Sequence, residues 1–284
     1  MTQELSIILP AKNEANSLQK LLPELRDKFP DAEVLVVNDG STDNTEGVCE
    51  ANGVKVVSHR QSKGNGGAVK AGARAATGRV FIFMDADGQH RPDDIPRLLE
   101  LLESGHDMAI GARTRGSQAS IGRGVANAFY NWFATRMTGQ VIPDLTSGFR
   151  AVIGSKFREF LYLLPNGFSY PTTITMAFFR AGYSVEYLPI VAEAREGKSH
   201  IRPIKDGIRF LIIIFKVATL YSPLKIFVPI SGLLFLSGAS YYLYTYITAE
   251  RFTNMGALLL ISSILVFLIG LVSEQITTLM YRDI

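Results

Sequence analysis

The first 200 residues alternate two kinds of pattern. Short apolar runs rich in β-branched residues recur at ELSIILP, EVLVVND, VKVVSH, RVFIFMD and DMAIGA, with helix-period stretches between them at 14–29, 43–52, 65–77 and 93–104. Runs of that length bounded by turn residues predict strands, and apolar spacings of three and four predict helices. Alternating strand and helix predict an α/β domain built on a mostly parallel sheet covered on both faces. In open sheets of this kind ligands bind beyond the carboxyl ends of the strands. The places to look for chemistry are therefore PAKNE, NDGSTD, SKGNGG and DADGQH, which follow the first four strands in turn. There is no internal repeat and no low-complexity tract.

The pattern changes near the C-terminus. Residues 226–249 and 252–273 contain no Asp, Glu, Lys or Arg, and only Glu250 and Arg251 separate them. At ~1.5 Å rise per residue each is long enough to cross a ~30 Å hydrocarbon layer as a helix. Two buried helices of a soluble bundle would need a partner layer that the remaining sequence lacks. The opening MTQELSIILP has no basic stretch ahead of a long apolar one, so nothing directs the first 200 residues across a membrane. Two spans return the chain to its starting side, where Lys216, Lys225 and Arg282 lie. That charge bias predicts a multi-pass protein of the cytoplasmic (inner) membrane with its N-terminal domain and C-terminus in the cytoplasm. Between the two regions, GIRFLIIIFKVATLYSP (207–223) places Arg209 and Lys216 on one stripe, with Lys205 a turn earlier. An apolar helix with a thin cationic stripe reads as interfacial. The expected units are 1–203, 204–223 and 224–284, and the paired spans offer a surface for homo-oligomer assembly.

Composition adds exclusions. The net charge of +3 over 284 residues makes no case for nucleic acid as a partner. Cys49 is the sole cysteine, so no intrachain disulfide can form and a reducing compartment suits the folded part.

The most informative motif is MDADGQH, 84–90. In an extended segment leaving a strand, Asp85, Asp87 and Gln89 would point to one side and converge on a hard cation, and oxygen-only ligands favour Mg²⁺ or Mn²⁺. His90 is a further candidate ligand, and Asp93 with Asp94 can cap the next helix. After the second strand, Asp39 can accept hydrogen bonds from a base or ribose while Ser41 and Asp43 cap the helix beyond. Lys63, Gly64, Gly66 and Gly67 precede a helix, where backbone amides and a cation suit an anion. The segment is neither a P-loop nor a dinucleotide fingerprint. Glu14 caps or begins the first helix or touches substrate. Arg113 and Arg115 follow the strand DMAIGA at the same sheet edge, Arg123 opens the next helical stretch, and planar guanidinium suits phosphate oxygens.

Taken together, SIILPAKNE, VVNDGSTD, KGNGG and FMDADGQH in this order resemble the family-2 glycosyltransferases of the GT-A fold. DLTSGFRAV (144–152), the basic REGKSH (195–200) and the paired spans make the chain similar to the polyprenyl-phosphate sugar synthases, the dolichyl-phosphate mannose and glucose synthase group. The resemblance covers nearly all of residues 4–205. It implies a Rossmann-like catalytic domain; contact of Pro10, Ala11, Glu14 and Asp39, with Lys63 and Gly64, to the donor nucleotide; and metal and diphosphate binding by Asp85, Asp87 and Gln89. It implies acceptor-phosphate contacts for Arg113, Arg123, Ser147, Arg195 and Lys198, with REGKSH one residue shorter than the usual R-x-x-G-x-S-K. Asp85, Asp87, Arg113 and Arg123 form the implied catalytic set. The implied reaction is metal-dependent, inverting transfer of a hexosyl group from a nucleoside-diphosphate sugar to an undecaprenyl or dolichyl phosphate in the lipid bilayer. Asp144 then serves as a structural partner of the S-G-F turn or of an acceptor-side arginine, not as a base. A processive polysaccharide synthase would carry Q-x-x-R-W; the only tryptophan, Trp132, is preceded by Ala128 and Asn131 where Gln and Arg belong. A non-catalytic nucleotide-binding membrane scaffold is disfavoured by the intact acidic motif.

Overall fold

The computed structural model describes residues 4–114, 121–167, 169–191, 212, 215–216 and 219–281, with the side chains of 121–127 and 130 outside that description. Contacts divide the chain into two compact units, Met1–Ile213 and Ile214–Ile284.

The first unit is the expected α/β domain. Its strands are β1 (Leu5–Ala11), β2 (Glu33–Asn38), β3 (Lys55–Ser58), β4 (Val80–Phe83), β5 (Met108–Arg113), β6 (Arg150–Ile153) and β7 (Val185–Ile190), and they form one sheet in the order β3-β2-β1-β4-β6-β5-β7. The helices are α1 (Ala15–Lys28), α2 (Thr45–Ala51), α3 (Asn65–Ala75), α4 (Ile95–Glu103), α5 (Ile121–Thr138), α6 (Gly154–Glu159) and α7 (Tyr170–Arg180), with a 3₁₀ turn at Pro92–Asp94. All six residues of β2 are buried, because helices cover both faces and no residue is left to alternate toward water. Leu18, Leu21, Leu22 and Leu25 give α1 an i, i+3, i+4, i+7 stripe that packs on Ile7, Leu9 and Val36.

β6 departs from the parallel pattern and decides where the site forms. It runs antiparallel between β4 and β5, pairing Phe83 with Arg150 on one side and Ile110 with Arg150 on the other. The chain therefore enters β6 at the edge where β4 and β5 end, and residues 144–149 arrive beside both carboxyl ends. Alternation of apolar runs does not reveal this strand, since it is four residues long and begins with a charge. β7 lies beside β5 at the sheet's edge.

Of the four expected capping residues, Asp43 takes a donor at the start of α2, whereas Ser41, Asp93 and Asp94 have other partners. Ser41 accepts the Asn13 N–H (2.9 Å) instead of capping α2, and Asp43 accepts both the Thr45 N–H (3.1 Å) and the Ala15 N–H (3.0 Å), joining the first residues of α2 and α1. Asp93 and Asp94 do not cap α4 with their side chains; they pair with Lys28 and Arg97.

In the second unit, α8 (Leu224–Ala249) and α9 (Asn254–Met280) form a hairpin, each helix long and apolar enough to cross a membrane. The residues α8 buries are Ser231, Gly238 and Thr245, and α9 buries Gly256, Ser263, Gly270 and Thr277, each set seven apart. Small side chains let the backbones approach, and the Ser231 hydroxyl donates to the Ser263 carbonyl at 3.0 Å. Large residues such as Leu233, Leu236 and Leu265 face outward. The Glu274 carboxylate accepts the Leu224 N–H (3.2 Å), satisfying a donor at the start of α8. Of the expected interfacial helix, only positions 212, 215–216 and 219–223 fall within the described residues; 212, 215, 216 and 219–221 are helical.

Candidate active site

The site is assembled where β1, β2, β4 and β5 end. After β1 the backbone turns at Asn13, which adopts φ +57°, a left-handed conformation that asparagine tolerates better than most residues. Its side-chain oxygen accepts the Thr42 N–H at 2.7 Å, so the loop after β1 is tied to the loop after β2. Pro10 and Ala11 close β1, and Glu14 occupies the N-cap position of α1 with its carboxylate accepting the Ser17 hydroxyl at 3.1 Å.

Asp39 is buried and its carboxylate takes four donors: His59 Nδ1, the Lys63 and Gly64 amides at 2.8 Å each, and the Ser62 hydroxyl at 2.7 Å. Burial by itself would raise this carboxyl, but the donors outweigh it and hold the group below the usual carboxylate range. Asp39 thus organises the 59–64 loop, and a nucleoside could reach its oxygens only by sharing or replacing these bonds.

The same contacts correct the anion site expected at the start of α3. The Lys63 and Gly64 amides point at Asp39, and the Gly66 and Gly67 amides donate to the carbonyls of Gly167 (3.3 Å) and Asn166 (3.0 Å). A Cβ on Gly66 would sit 2.1 Å from the Pro165 carbonyl oxygen, so that glycine admits a neighbouring loop, not a phosphate. The Lys63 side chain remains exposed and available.

The acidic motif is a turn, not the extended segment expected. β4 stops at Phe83, Ala86–Asp87 form a turn, and Gly88 has φ +76°. Asp87 Oδ1 accepts the Gln89 N–H at 3.2 Å. Asp85, Asp87 and Gln89 are all partly exposed at the sheet edge. Among the described residues no three His, Cys, Asp or Glu side chains converge on a metal position. The all-oxygen donor set still fits a hard divalent ion whose remaining ligands come from elsewhere, such as diphosphate oxygens and water. Gly148 preserves the space: a Cβ there would lie 3.1 Å from Asp85 Oδ2. His90 is buried, its ring stacked on Phe149 with centroids 4.9 Å apart, and its Nδ1 has no hydrogen-bond partner among the described residues. Burial depresses its pKa against the pull of Asp85 and Asp87, leaving the imidazole neutral at pH 7.

Arg113, the last residue of β5, forms a two-pronged pair with Asp144: Nε to Oδ2 at 2.7 Å and Nη2 to Oδ1 at 3.0 Å, with Nη2 also donating to the Thr146 hydroxyl at 2.7 Å. Asp144 in turn accepts the Thr146 N–H at 3.1 Å, so it serves both the turn and the arginine. Although burial would raise the Asp144 carboxyl, Arg113 and Thr146 hold it below the usual range. Ser147 is buried and its hydroxyl has no partner among the described residues. Arg150, missed by the motif reading, is fully buried and has no carboxylate partner among the described residues; it donates to the Ser147 carbonyl and to Thr175 Oγ1 (3.3 Å), and it lies 5.8 Å from the Tyr170 ring centroid. Its position directly after the S-G-F turn was the available signal. Arg195 and Lys198 lie outside the described residues, as does the side chain of Arg123.

A cleft of about 700 Å³ opens beside the acidic turn, lined by Glu14, Ser17, Lys20, Asp87, His90 and Arg91 among others. The architecture is a Rossmann-like nucleotide-sugar transferase fold with a carboxylate turn and a clamped arginine on one edge. The chain belongs to glycosyl transferase family 2, whose domain matches residues 6–161, and residues 222–279 match the GtrB C-terminal hairpin. It is similar to an undecaprenyl-phosphate mannosyltransferase of Micrococcus luteus (32% identity, over 66% of this chain and 83% of that one). It is also similar to a polyprenol monophosphomannose synthase of Mycolicibacterium smegmatis (32% identity, 69% and 79%). A glucosyl-3-phosphoglycerate synthase from Mycobacterium tuberculosis, solved with Mn²⁺, UDP and phosphoglyceric acid, shares the GT-A fold at a TM-score of 0.60 and 21% identity, covering 76% of this chain and 78% of that one.

Proposed function

We propose that this chain is an inverting hexosyltransferase that uses a nucleoside-diphosphate sugar and a polyprenyl phosphate at the cytoplasmic face of a membrane. The observation that carries the reading is the 144–150 segment, which joins the acidic turn through Gly148 to the Arg113 clamp through Asp144, so that the carboxylates assigned to the donor and the arginine assigned to the acceptor share one edge. The relatives named for undecaprenyl and polyprenol phosphates support the acceptor class.

Asp85, Asp87 and Gln89 would hold Mg²⁺ or Mn²⁺, which when bound neutralises the leaving diphosphate as a Lewis acid. Glu14, Pro10, Ala11 and Lys63 border the donor nucleoside, with Asp39 shaping the loop that carries Lys63. Arg113, already oriented by Asp144, offers its guanidinium to the acceptor phosphate; Arg123, Arg195 and Lys198 are assigned the same anion, and Ser147 to the turn beneath it. A phosphate oxygen attacks the anomeric carbon from the face opposite the diphosphate. The new C–O bond forms as the old one breaks, the nucleoside diphosphate leaves, and the configuration inverts. A phosphate monoester with a second pKa of about 6 is already largely dianionic at pH 7, so no base is needed. Asp144, held ionised by Arg113, suits a positioning role. The hairpin keeps the enzyme where its lipid acceptor resides.

The test is product formation by the reconstituted full chain from UDP-glucose, GDP-mannose and UDP-N-acetylhexosamines with polyprenyl phosphate. One donor should be turned over, Asp87→Ala should be folded and inactive, and EDTA should stop the wild type until Mg²⁺ or Mn²⁺ is restored. Full activity in EDTA after exhaustive dialysis would sink the metal assignment. Arg113→Ala should weaken acceptor use by about 1.5–3 kcal/mol, roughly ten- to a hundredfold. If only donor affinity changed, Arg113 would belong to the diphosphate.

A further inference from the structure

Among the described residues Arg150 is the largest side chain that is fully buried, and the transfer chemistry above gives it no part. It opens β6 in register with Phe83, two residues before Asp85, and with Ile110, three residues before Arg113. The side chain crosses to α7, where Nη1 donates to Thr175 Oγ1 (3.3 Å) and to the Pro171 carbonyl (3.5 Å), and Nη2 turns back to the Ser147 carbonyl. These acceptors are neutral. Its Nε is buried with no partner among the described residues.

An arginine set in a core is ordinarily paired, because a buried charge without a counter-charge costs stability. Stitching a turn to a helix needs no charge. Thr175 already donates to the Pro171 carbonyl at 2.8 Å, so the helix end of the contact is satisfied without Arg150. What the charge does have is a place behind the acidic turn. The guanidinium carbon lies 5.8 Å from the Tyr170 ring centroid, and the Tyr170 hydroxyl donates to the Gly148 carbonyl at 3.3 Å. A Cβ on Gly148 would lie 3.1 Å from Asp85 Oδ2 and 3.3 Å from that same hydroxyl. One ring and one turn of backbone therefore connect the cation to the acidic motif. Burial opposes the charge of Arg150, and Tyr170, Tyr187, Asp144 and Asp85 support it through space. In a dry interior such a field reaches the sheet edge with little screening.

We propose that Arg150 is a positioning residue retained for its charge, a fixed positive field behind the S-G-F turn that draws phosphate oxygens to this edge and offsets the carboxylates of the acidic turn. This role rests on the transfer reading above, and the phosphate it serves is that of the leaving diphosphate or of the acceptor.

The full chain in detergent is compared with Arg150→Met, which removes the charge, and Arg150→Lys, which keeps it. Arg150→Met should melt within about 5 °C of the wild type, because relief of a buried charge offsets the donor lost at Ser147. Mn²⁺ alone, followed by electron paramagnetic resonance, should bind it roughly three- to tenfold tighter, whereas Arg150→Lys should match the wild type. With Mn²⁺ saturating, weaker binding of whichever of UDP and GDP the wild type takes would give the field to the diphosphate. Unchanged nucleotide binding with a raised KM for polyprenyl phosphate would give it to the acceptor. An Arg150→Met chain that does not fold, or that folds with Mn²⁺ affinity unchanged, would make Arg150 a structural stitch and overturn the proposal. So would tighter Mn²⁺ with neither phosphate arm weakened, or an Arg150→Lys chain shifted as far as Arg150→Met. Melting, Mn²⁺ and nucleotide binding need no turnover: if they shift as expected and no donor is ever turned over, the transfer reading falls and the field stands.

Discussion

The two units of this chain bury opposite things. In the catalytic unit Phe81, Phe83, Phe149 and Phe157 are fully buried, and the polar groups inside are pinned by donors, as Glu33 is by Ser6 (2.5 Å) and Thr77 (2.7 Å). In the hairpin the buried positions are Ser231, Gly238, Thr245, Gly256, Ser263, Gly270 and Thr277, while leucines face outward. Water drives large apolar side chains inward in the first unit. Lipid removes that drive, so close backbone approach decides what lies inside the second. The two sets of buried residues record two solvents.

The largest test of this contrast is in the sheet. Phe83 stacks against Phe157 with centroids 4.5 Å apart, and Phe83→Ala should cost about 3–5 kcal/mol in denaturant unfolding of the full chain in detergent, read by Trp132 emission. A loss below 1 kcal/mol, by that same scale, would mean the core had collapsed around the gap.

In the hairpin the sensitive change runs the other way, from small to large. A Cβ on Gly270 would lie 2.5 Å from Phe227 Cβ, so Gly270→Leu should separate the helices at a cost of about 1–3 kcal/mol. Protease accessibility of the 250–253 turn and thermal scans of the hairpin should register it, whereas UDP or GDP binding by the catalytic unit should not move. Weakened nucleotide binding would show that the units are not independent.

The polar pins of the catalytic unit give it a pH signature. Because the Asp39 pKa is lower in the folded chain than its unfolded value of about 3.9, its contribution is fully present above pH ~4 and is lost as pH falls through the folded value. Wild-type stability should therefore decline on acidification below about pH 4, and Asp39→Asn should lose about 1–3 kcal/mol at pH 7 and decline less steeply in acid. Identical acid slopes for the two proteins would remove Asp39 from this account.

The smallest effect is expected on the outer face of the hairpin. Leu265→Ala should change stability by less than about 0.5 kcal/mol in bilayers, because the side chain meets lipid whether or not the helices are paired. A core-like loss there would reveal a protein partner on that face, including a second copy of the chain.

Five strands, four helices and both apolar helices were legible along the chain, because each depends on periodicity within one segment. So was the acidic motif at the end of β4, since strand ends in an open sheet mark the ligand edge. Its shape was not: Gly88 turns the segment that alternation had read as extended. The glycines at the start of α3 were read as an anion site, yet the 165–167 loop fills that space, a contact made across about a hundred residues of sequence and invisible to local pattern.

What the sequence alone determined here is which segments are strands, which helices can enter lipid, and which residue types could carry the chemistry. Only the tertiary structure decided that β6 runs antiparallel between β4 and β5, and with it that Asp144 clamps Arg113, that Gly148 lies against Asp85 and that Arg150 is sealed beneath them. The physical reason is the range of the forces involved. Periodicity follows from the repeat of a single element, whereas strand order and ion pairing depend on which distant segments share a buried edge.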